Sequence, residues 1–199
     1  MKKIEAVIFD MDGVLVDTER VSFESYKKVL KEYNYDISHE FYLTLLGRNI
    51  PSIKSIFIEI YGDDFPFDEI YPKKSKLATE TVDKNGVIVK GGVHELIDYL
   101  KDNKYKIAVA TSTREERAHK LLSEIDVLDK VDYIICGDQV QNSKPNPEIF
   151  LKAAKVLDVE PEVCAVIEDS EAGILAANAA NMKAVSYTHL RAHETTLHL

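Results

Sequence analysis

Two carboxylates one residue apart, Asp10 and Asp12, follow directly on the apolar run Val7-Ile8-Phe9, and Gly13 comes straight after them. The run reads as a buried strand, so both acids emerge at its C-terminal end, where open α/β sheets bind ligands. Acidic oxygens placed there suit a hard cation together with an anionic substrate. The plain alternative is an acidic loop after a strand. A calcium loop is excluded: counting from Asp10, the sixth position is Leu15 rather than Gly and the twelfth is Val21 rather than Glu.

Three more groups of polar residues sit at the ends of apolar stretches. Thr111-Ser112-Thr113 follow KIAVA and precede a helix, where hydroxyls and amides at the helix N-terminus can cradle a phosphate. Lys144 lies in Ser-Lys-Pro-Asn-Pro, a loop stiffened by two prolines. Glu168-Asp169 follow Ala-Val-Ile, with Ser170 placed to cap the next helix. Each group has a plain explanation as a cap, a solvated lysine or a complement to a helix dipole. Four such groups in this order, each at a strand end, point to one crevice, because the ends of parallel strands converge.

The elements that must position them can be read from periodicity. A first strand is expected at 4–9, then helices at 18–33, 38–46, 50–61 and 66–83, with Pro51 and Pro66 as punctuation. Asn85-Gly86 marks a turn and Gly91-Gly92 a loop before a helix at 93–103. Strands at 106–110, 133–136, 163–167 and from 183 then alternate with helices at 114–123, 147–157 and 171–181. Asn146 is the expected N-cap of the 147–157 helix and Pro147 its first residue. The fold class is therefore α/β: a doubly wound parallel, Rossmann-like sheet with an inserted α-helical cap. The expected core is 1–17 and 85–185, with the cap at 18–84 and hinges near 14–18 and 84–91.

With 199 residues, 45% hydrophobic and 30% charged, the chain has the composition of a soluble globular protein, long enough for one good core or one core with a small satellite domain. Its formal charge of −9 disfavours nucleic acid and anionic membranes as partners, so any phosphate site must be built locally against the overall field. No apolar leader follows Met1-Lys2-Lys3, and a cytoplasmic location is expected. Cys136 and Cys164 form no CxxC pair and lie in strand-like runs, so buried free thiols are expected. The last fourteen residues, 186–199, break the pattern. They resemble translated sequencing-adapter read-through and are expected to be a non-native, disordered tail in place of a last strand or two. No Asp or Cys completes a metal site with His189, His193 and His198.

On DMDG at 10–13, Thr111 of ATST, Lys144 of SKPNP and ED at 168–169, the chain resembles the haloacid-dehalogenase-like hydrolase superfamily, over roughly residues 1–185. The helical insertion after DMDG is similar to the cap of the phosphatase and β-phosphoglucomutase branch. The second Asp, at position 12, marks phosphate-ester members. The resemblance implies Asp10 as nucleophile, forming an aspartyl-phosphate, and Asp12 as acid–base group. It implies Mg²⁺ held by the side chains of Asp10 and Asp169 and the main-chain carbonyl of Asp12, with Glu168 holding a coordinated water or tuning Asp169. Lys144 and Thr111 would each bind a phosphate oxygen. Gly47, Arg48 and Asn49 of the cap, with Ser112, Thr113 and Arg114 opposite, are the candidates for contacting the rest of a small phosphorylated metabolite. The oligomeric state is open, a monomer included.

Two alternatives stand beside hydrolysis. One is a sugar-phosphate mutase of the β-phosphoglucomutase kind, which typically carries a His where this chain has Ser22. The other is an inactive phospholigand-binding fragment, if the replaced C-terminus costs the sheet a strand.

Overall fold

The computed structural model describes residues 2–46, 48 and 50–186. Five parallel strands, β1 (Ala6–Phe9), β2 (Lys106–Ala110), β3 (Tyr133–Ile135), β4 (Cys164–Glu168) and β5 (Lys183–Ser186), form one sheet in the order β3-β2-β1-β4-β5. β1 is central, with Ile8 opposite Ala108 on one side and Val166 on the other. The chain builds one flank through β2 and β3, then returns to build the other through β4 and β5. The order reverses beside β1, which is where a crevice opens at the strand ends.

Alternation along β1 separates two cores. Val7 and Phe9 face a cluster with Ile97 of α5 (Val93–Asp102), Ile107, Val109, and Leu121 and Leu122 of α6 (Glu115–Glu124). Ala6 and Ile8 face the opposite layer, made by Phe150 and Ala153 of α7 (Glu148–Leu157) and Ala176 of α8 (Glu171–Ala179). Small residues at 108, 110, 153 and 176 let this second layer sit close to the sheet.

Among the described residues, the elements between β1 and α5 are four helices: α1 (Thr18–Glu32), α2 (His39–Leu43), α3 (Ile50–Tyr61) and α4 (Phe67–Asn85). They share a separate aromatic core centred on fully buried Phe57, whose ring lies 5.0–5.8 Å from those of Tyr26, Phe41, Tyr61, Phe65 and Phe67. The two stretches joining this block to the sheet pair with each other. Asp17 N–H donates to the Ile88 carbonyl (2.8 Å), Lys90 N–H to that of Leu15 (3.0 Å), and Val16 and Val89 form an antiparallel bridge.

Several boundaries differ from expectation. β1 begins at Ala6 rather than residue 4, and β3 stops at Ile135 because Cys136 leads into a 3₁₀ turn at Gly137–Gln139. β4 runs one residue later than expected, so Glu168 is its last residue and not the first of a loop. α2 is only five residues long; Ser38 caps it, accepting from the Phe41 amide at 3.0 Å. At α7 the helix begins at Glu148 and Pro147 occupies the capping position, although the Asn146 side chain still accepts from the Glu148 amide at 3.0 Å. α8 ends at Ala179, with Asn181 in the left-handed region (φ 57°) turning the chain into β5. Ser186, assigned on sequence to the tail, pairs with Glu168 in β5; the rest of the tail, 187–199, lies outside the described residues. Among the described residues both cysteines are free and buried, and no helix is long and apolar enough to cross a membrane.

Because Phe57 joins helices α1 to α4 into one aromatic cluster, Phe57→Ala is expected to cost about 3–5 kcal/mol. Chemical denaturation followed by far-ultraviolet circular dichroism measures this loss.

Candidate active site

All four polar groups meet at the C-terminal edge of the sheet. The ladder continues one residue past the strands: Asp10 N–H donates to the Ile167 carbonyl and Thr111 N–H to that of Ile135, each at 2.9 Å. Lys144, 3% exposed, reaches into this edge from the loop before α7. Its ammonium donates to Asp10 Oδ1 (2.7 Å), Glu168 Oε1 (2.7 Å) and the Ala110 carbonyl (3.2 Å), and lies 5.1 Å from the Phe150 ring centroid. All three ammonium donors meet protein oxygens, and Lys144 also lines the cleft in which a phosphate oxygen was expected to meet it. Burial pulls its pKa down, but the Asp10 and Glu168 carboxylates outweigh this and hold it above the ordinary lysine value.

Glu168 is fully buried. Its second oxygen accepts from the Ser170 amide (2.7 Å) and hydroxyl (2.9 Å), and the Ser170 hydroxyl in turn accepts from the Gly173 amide (3.1 Å), capping α8. A Cβ at position 173 would stand 1.8 Å from Glu168 Oε1, so glycine there makes the room. Both oxygens of Glu168 are therefore engaged by Lys144 and Ser170.

Asp12 has a different environment. The Thr18 hydroxyl donates to one oxygen, and Thr113 (2.7 Å) and more distantly Thr111 (3.5 Å) donate to the other. The Thr111 hydroxyl also accepts from the Thr113 amide (3.1 Å). Thr113, expected to touch substrate, lines the cleft, and its hydroxyl holds Asp12.

Oxygens of Asp10, Glu168 and Asp169 lie within 4.8 Å of one another. Burial, more than any neighbour, raises the Asp10 pKa well above the ordinary value; Lys144 opposes this, and the carboxylates of Glu168, Asp169 and Asp12 add to it. Asp169 is pushed up to about 8, first by burial and then by Glu19 and Glu168. Gly13, at φ 82°, leaves the space that Asp169 fills: a Cβ there would sit 1.8 Å from its Oδ2. A set of hard oxygen donors crowded by mutual repulsion fits a divalent cation such as Mg²⁺. The Asp12 side chain is outside this cluster, in keeping with a contribution through its main-chain carbonyl alone.

A cleft of about 350 Å³ opens over these groups, walled on the far side by the helical block. Ser112 and Arg48 line it; Arg48 Nε donates to the Thr44 carbonyl (2.7 Å). Arg114, exposed at the N-cap of α6, is not itself among the lining residues, but it acts electrostatically on Tyr71, which is. Gly47 and Asn49 lie outside the described residues. Sequence reasoning missed Thr18, Glu19, Tyr71, Lys74 and Arg117, all of which line the cleft. Lys74 projects from α4 over the rings of Tyr26 (4.4 Å) and Tyr71 (5.9 Å), and burial lowers its pKa to about 8. Arg117 is held by Asp83 of α4 at 2.8 Å, linking helical block to sheet layer. A signal existed for Thr18 and Glu19, the polar pair after the linker; nothing distinguishes Lys74 from its neighbouring lysines.

The profile described as haloacid dehalogenase-like hydrolase matches residues 7–187. The phosphorylated carbohydrates phosphatase of Thermotoga maritima is 34% identical over 187 residues, covering 92% of this chain and 84% of that protein. The beta-phosphoglucomutase of Bacillus subtilis is 33% identical over 188 residues, covering 92% and 82%. The fructose-1-phosphate phosphatase of Escherichia coli is 30% identical, covering 92% and 96%. Among solved structures, the beta-phosphoglucomutase of Clostridium difficile superposes with a TM-score of 0.78 at 31% identity, covering 92% of this chain and 84% of that one. Matched along nearly all its described length, with the four acidic, hydroxyl and basic groups gathered at one sheet edge, the chain belongs to the haloacid dehalogenase-like hydrolases.

Proposed function

We propose that this hydrolase is a Mg²⁺-dependent phosphatase that cleaves a small phosphorylated metabolite, a sugar phosphate or similar, through an aspartyl-phosphate on Asp10. The observation that carries the reading is the pair of aspartates in two environments: Asp10 locked by Lys144 at 2.7 Å, and Asp12 beside it held only by hydroxyls. One is fixed as a nucleophile, the other is poised in the cleft for proton transfer.

In this reading the Asp10 carboxylate attacks phosphorus in line; the Asp10–phosphorus bond forms as the bond to the leaving oxygen breaks. Asp12 gives its proton to that oxygen, and Thr18 and Thr113 keep the carboxyl aimed. In the second half Asp12 takes a proton from water, whose oxygen displaces Asp10 and releases inorganic phosphate. Thr111 contributes a hydroxyl at the strand end. Mg²⁺, held by Asp10, Asp169 and the Asp12 carbonyl, would supply the charge neutralisation that lets an anion attack an anion. Lys144 supports this indirectly, by fixing Asp10 and Glu168. The helical block acts as a cap that excludes water and selects the substrate; its cation, Lys74, and its hydroxyls, Ser22 and Ser75, suit a polar, hydroxyl-bearing leaving group. The relatives named for phosphorylated carbohydrates support that class.

A mutase reading is favoured by the likeness to two beta-phosphoglucomutases, yet Ser22, lining the cleft, stands where that branch carries a His. A hydrolase turns over p-nitrophenyl phosphate with Mg²⁺ alone, whereas a mutase needs a sugar bisphosphate to prime it; steady-state assays with and without the bisphosphate decide between them.

Asp10→Asn is expected to abolish turnover. Asp12→Ala is expected to lower kcat by about 10²–10⁴-fold while Mg²⁺ affinity, measured by calorimetry, is retained. The raised Asp169 sets a pH dependence. Its folded-state pKa of about 8 against an ordinary 3.8 means the metal-free fold binds a proton that the unfolded chain releases, so this group's contribution to stability falls as pH rises from about 4 to about 8. The cation competes with that proton, so Mg²⁺ affinity is expected to rise from pH 6 to pH 8.5, and added Mg²⁺ is expected to raise Tm more at the higher pH. Thermal melts with and without Mg²⁺ across that range check it.

A further inference from the structure

Glu19 stands in the first turn of α1, where an acid ordinarily complements the helix dipole while exposed to water. Here it turns back toward the sheet. Its carboxyl carbon comes within 3.0 Å of the point a Gly13 Cβ would occupy, the same gap that Asp169 Oδ2 fills, and the Asp169 carboxyl hydrogen-bonds to it. Glu19 lines both the catalytic cleft and a second cavity of about 460 Å³ on the other side of the Glu19–Asp169 pair, between α1 and the returning linker. The nearest base, Lys90, attracts Glu19, but its ammonium is 3.4 Å from Asp17.

The neighbouring residue behaves in parallel. Thr18 donates to Asp12, so consecutive residues at the start of the helical block each grasp one carboxylate at the sheet edge. A fifth acid brought to Asp10, Asp12, Glu168 and Asp169, with Lys144 committed to two of them, adds repulsion that a proton between Glu19 and Asp169 relieves in the metal-free fold and a divalent cation would relieve in its place. Of these five acids Glu19 is the one that belongs to the helical block.

Resting on the cation-dependent reading above, we propose that Glu19 is a positioning residue for the divalent cation, and that through it cation binding ties the first helix of the cap to the sheet. Its carboxylate completes the acidic shell around Asp169 from outside, by holding Asp169 or a coordinated water. It is not required to touch the substrate.

The test is Mg²⁺ binding by isothermal titration calorimetry on the full chain, with hydrogen–deuterium exchange of α1 read in parallel. Glu19→Gln is expected to weaken Mg²⁺ binding by roughly 10–100-fold, the usual cost of losing an outer-shell partner, and to abolish the Mg²⁺-induced protection of α1 amides. Glu24→Gln removes the same charge from the exposed face of the same helix and is expected to leave both readouts unchanged. Glu19→Asp, which keeps the charge on a shorter arm, is expected to fall between; it also serves if Glu19→Gln proves unfolded by circular dichroism. An affinity for Glu19→Gln equal to that of wild type or of Glu24→Gln overturns the proposal and leaves the phosphatase reading standing. A wild-type chain that binds no Mg²⁺ overturns both.

Discussion

A single buried ammonium holds the catalytic edge together. Lys144 bonds to Asp10 from β1, to Glu168 from β4 and to the Ala110 carbonyl of β2, so one cation joins three strand ends. Removing a lysine from water carries a desolvation penalty of several kcal/mol, offset only when every donor finds a good acceptor. Here every donor does. The reciprocal constraint falls on Glu168, whose two oxygens are divided between Lys144 and the cap of α8. The sheet edge, the loop carrying Lys144 and the last helix are therefore one electrostatic unit.

That unit explains how carboxylates two positions apart come to differ. Asp10 belongs to the ladder, with its amide on Ile167 and its side chain in the buried pair. Asp12 has left the ladder; its carboxyl meets threonines from α1 and from the β2 end. Between them Met11 is fully buried and anchors the turn, its carbonyl accepting from the amides of Leu15 and Val16. Alternation sends the apolar side chain inward and leaves both acids facing the crevice, one dry and one wet.

Much of this was legible because parallel sheets impose strong patterns. Buried strands read as short apolar runs, and polar residues immediately after them must fall on one edge; Asp10, Thr111 and Glu168-Asp169 were found that way, and Lys144 by its proline-stiffened loop. What escaped was set by contacts between distant segments. That Thr113 serves Asp12 follows from the spacing of β1 and β2, which no local pattern encodes. Lys74 is one of several lysines on α4, and only the packing of α4 against α1 sets it over Tyr26. The one-residue shift of β4, which makes Glu168 a strand residue, arises because Glu168 is paired and buried although a free carboxylate would not be. Arg114, expected at the site from its neighbours in sequence, stands exposed at the N-cap of α6, near enough to cleft-lining Tyr71 to act on it electrostatically.

The paired connections between the helical block and the sheet have a mechanical consequence. Backbone bonds from Asp17 to Ile88 and from Lys90 to Leu15 splice the outgoing and incoming chain into a single two-ply strap. Such a strap twists and bends as one piece, so for the proposed cap it would define one axis of swing in place of two independent tethers. The strap ends at Asp17, so Thr18 and Glu19, which reach toward Asp12 and Asp169, stand at its base and would travel with that swing.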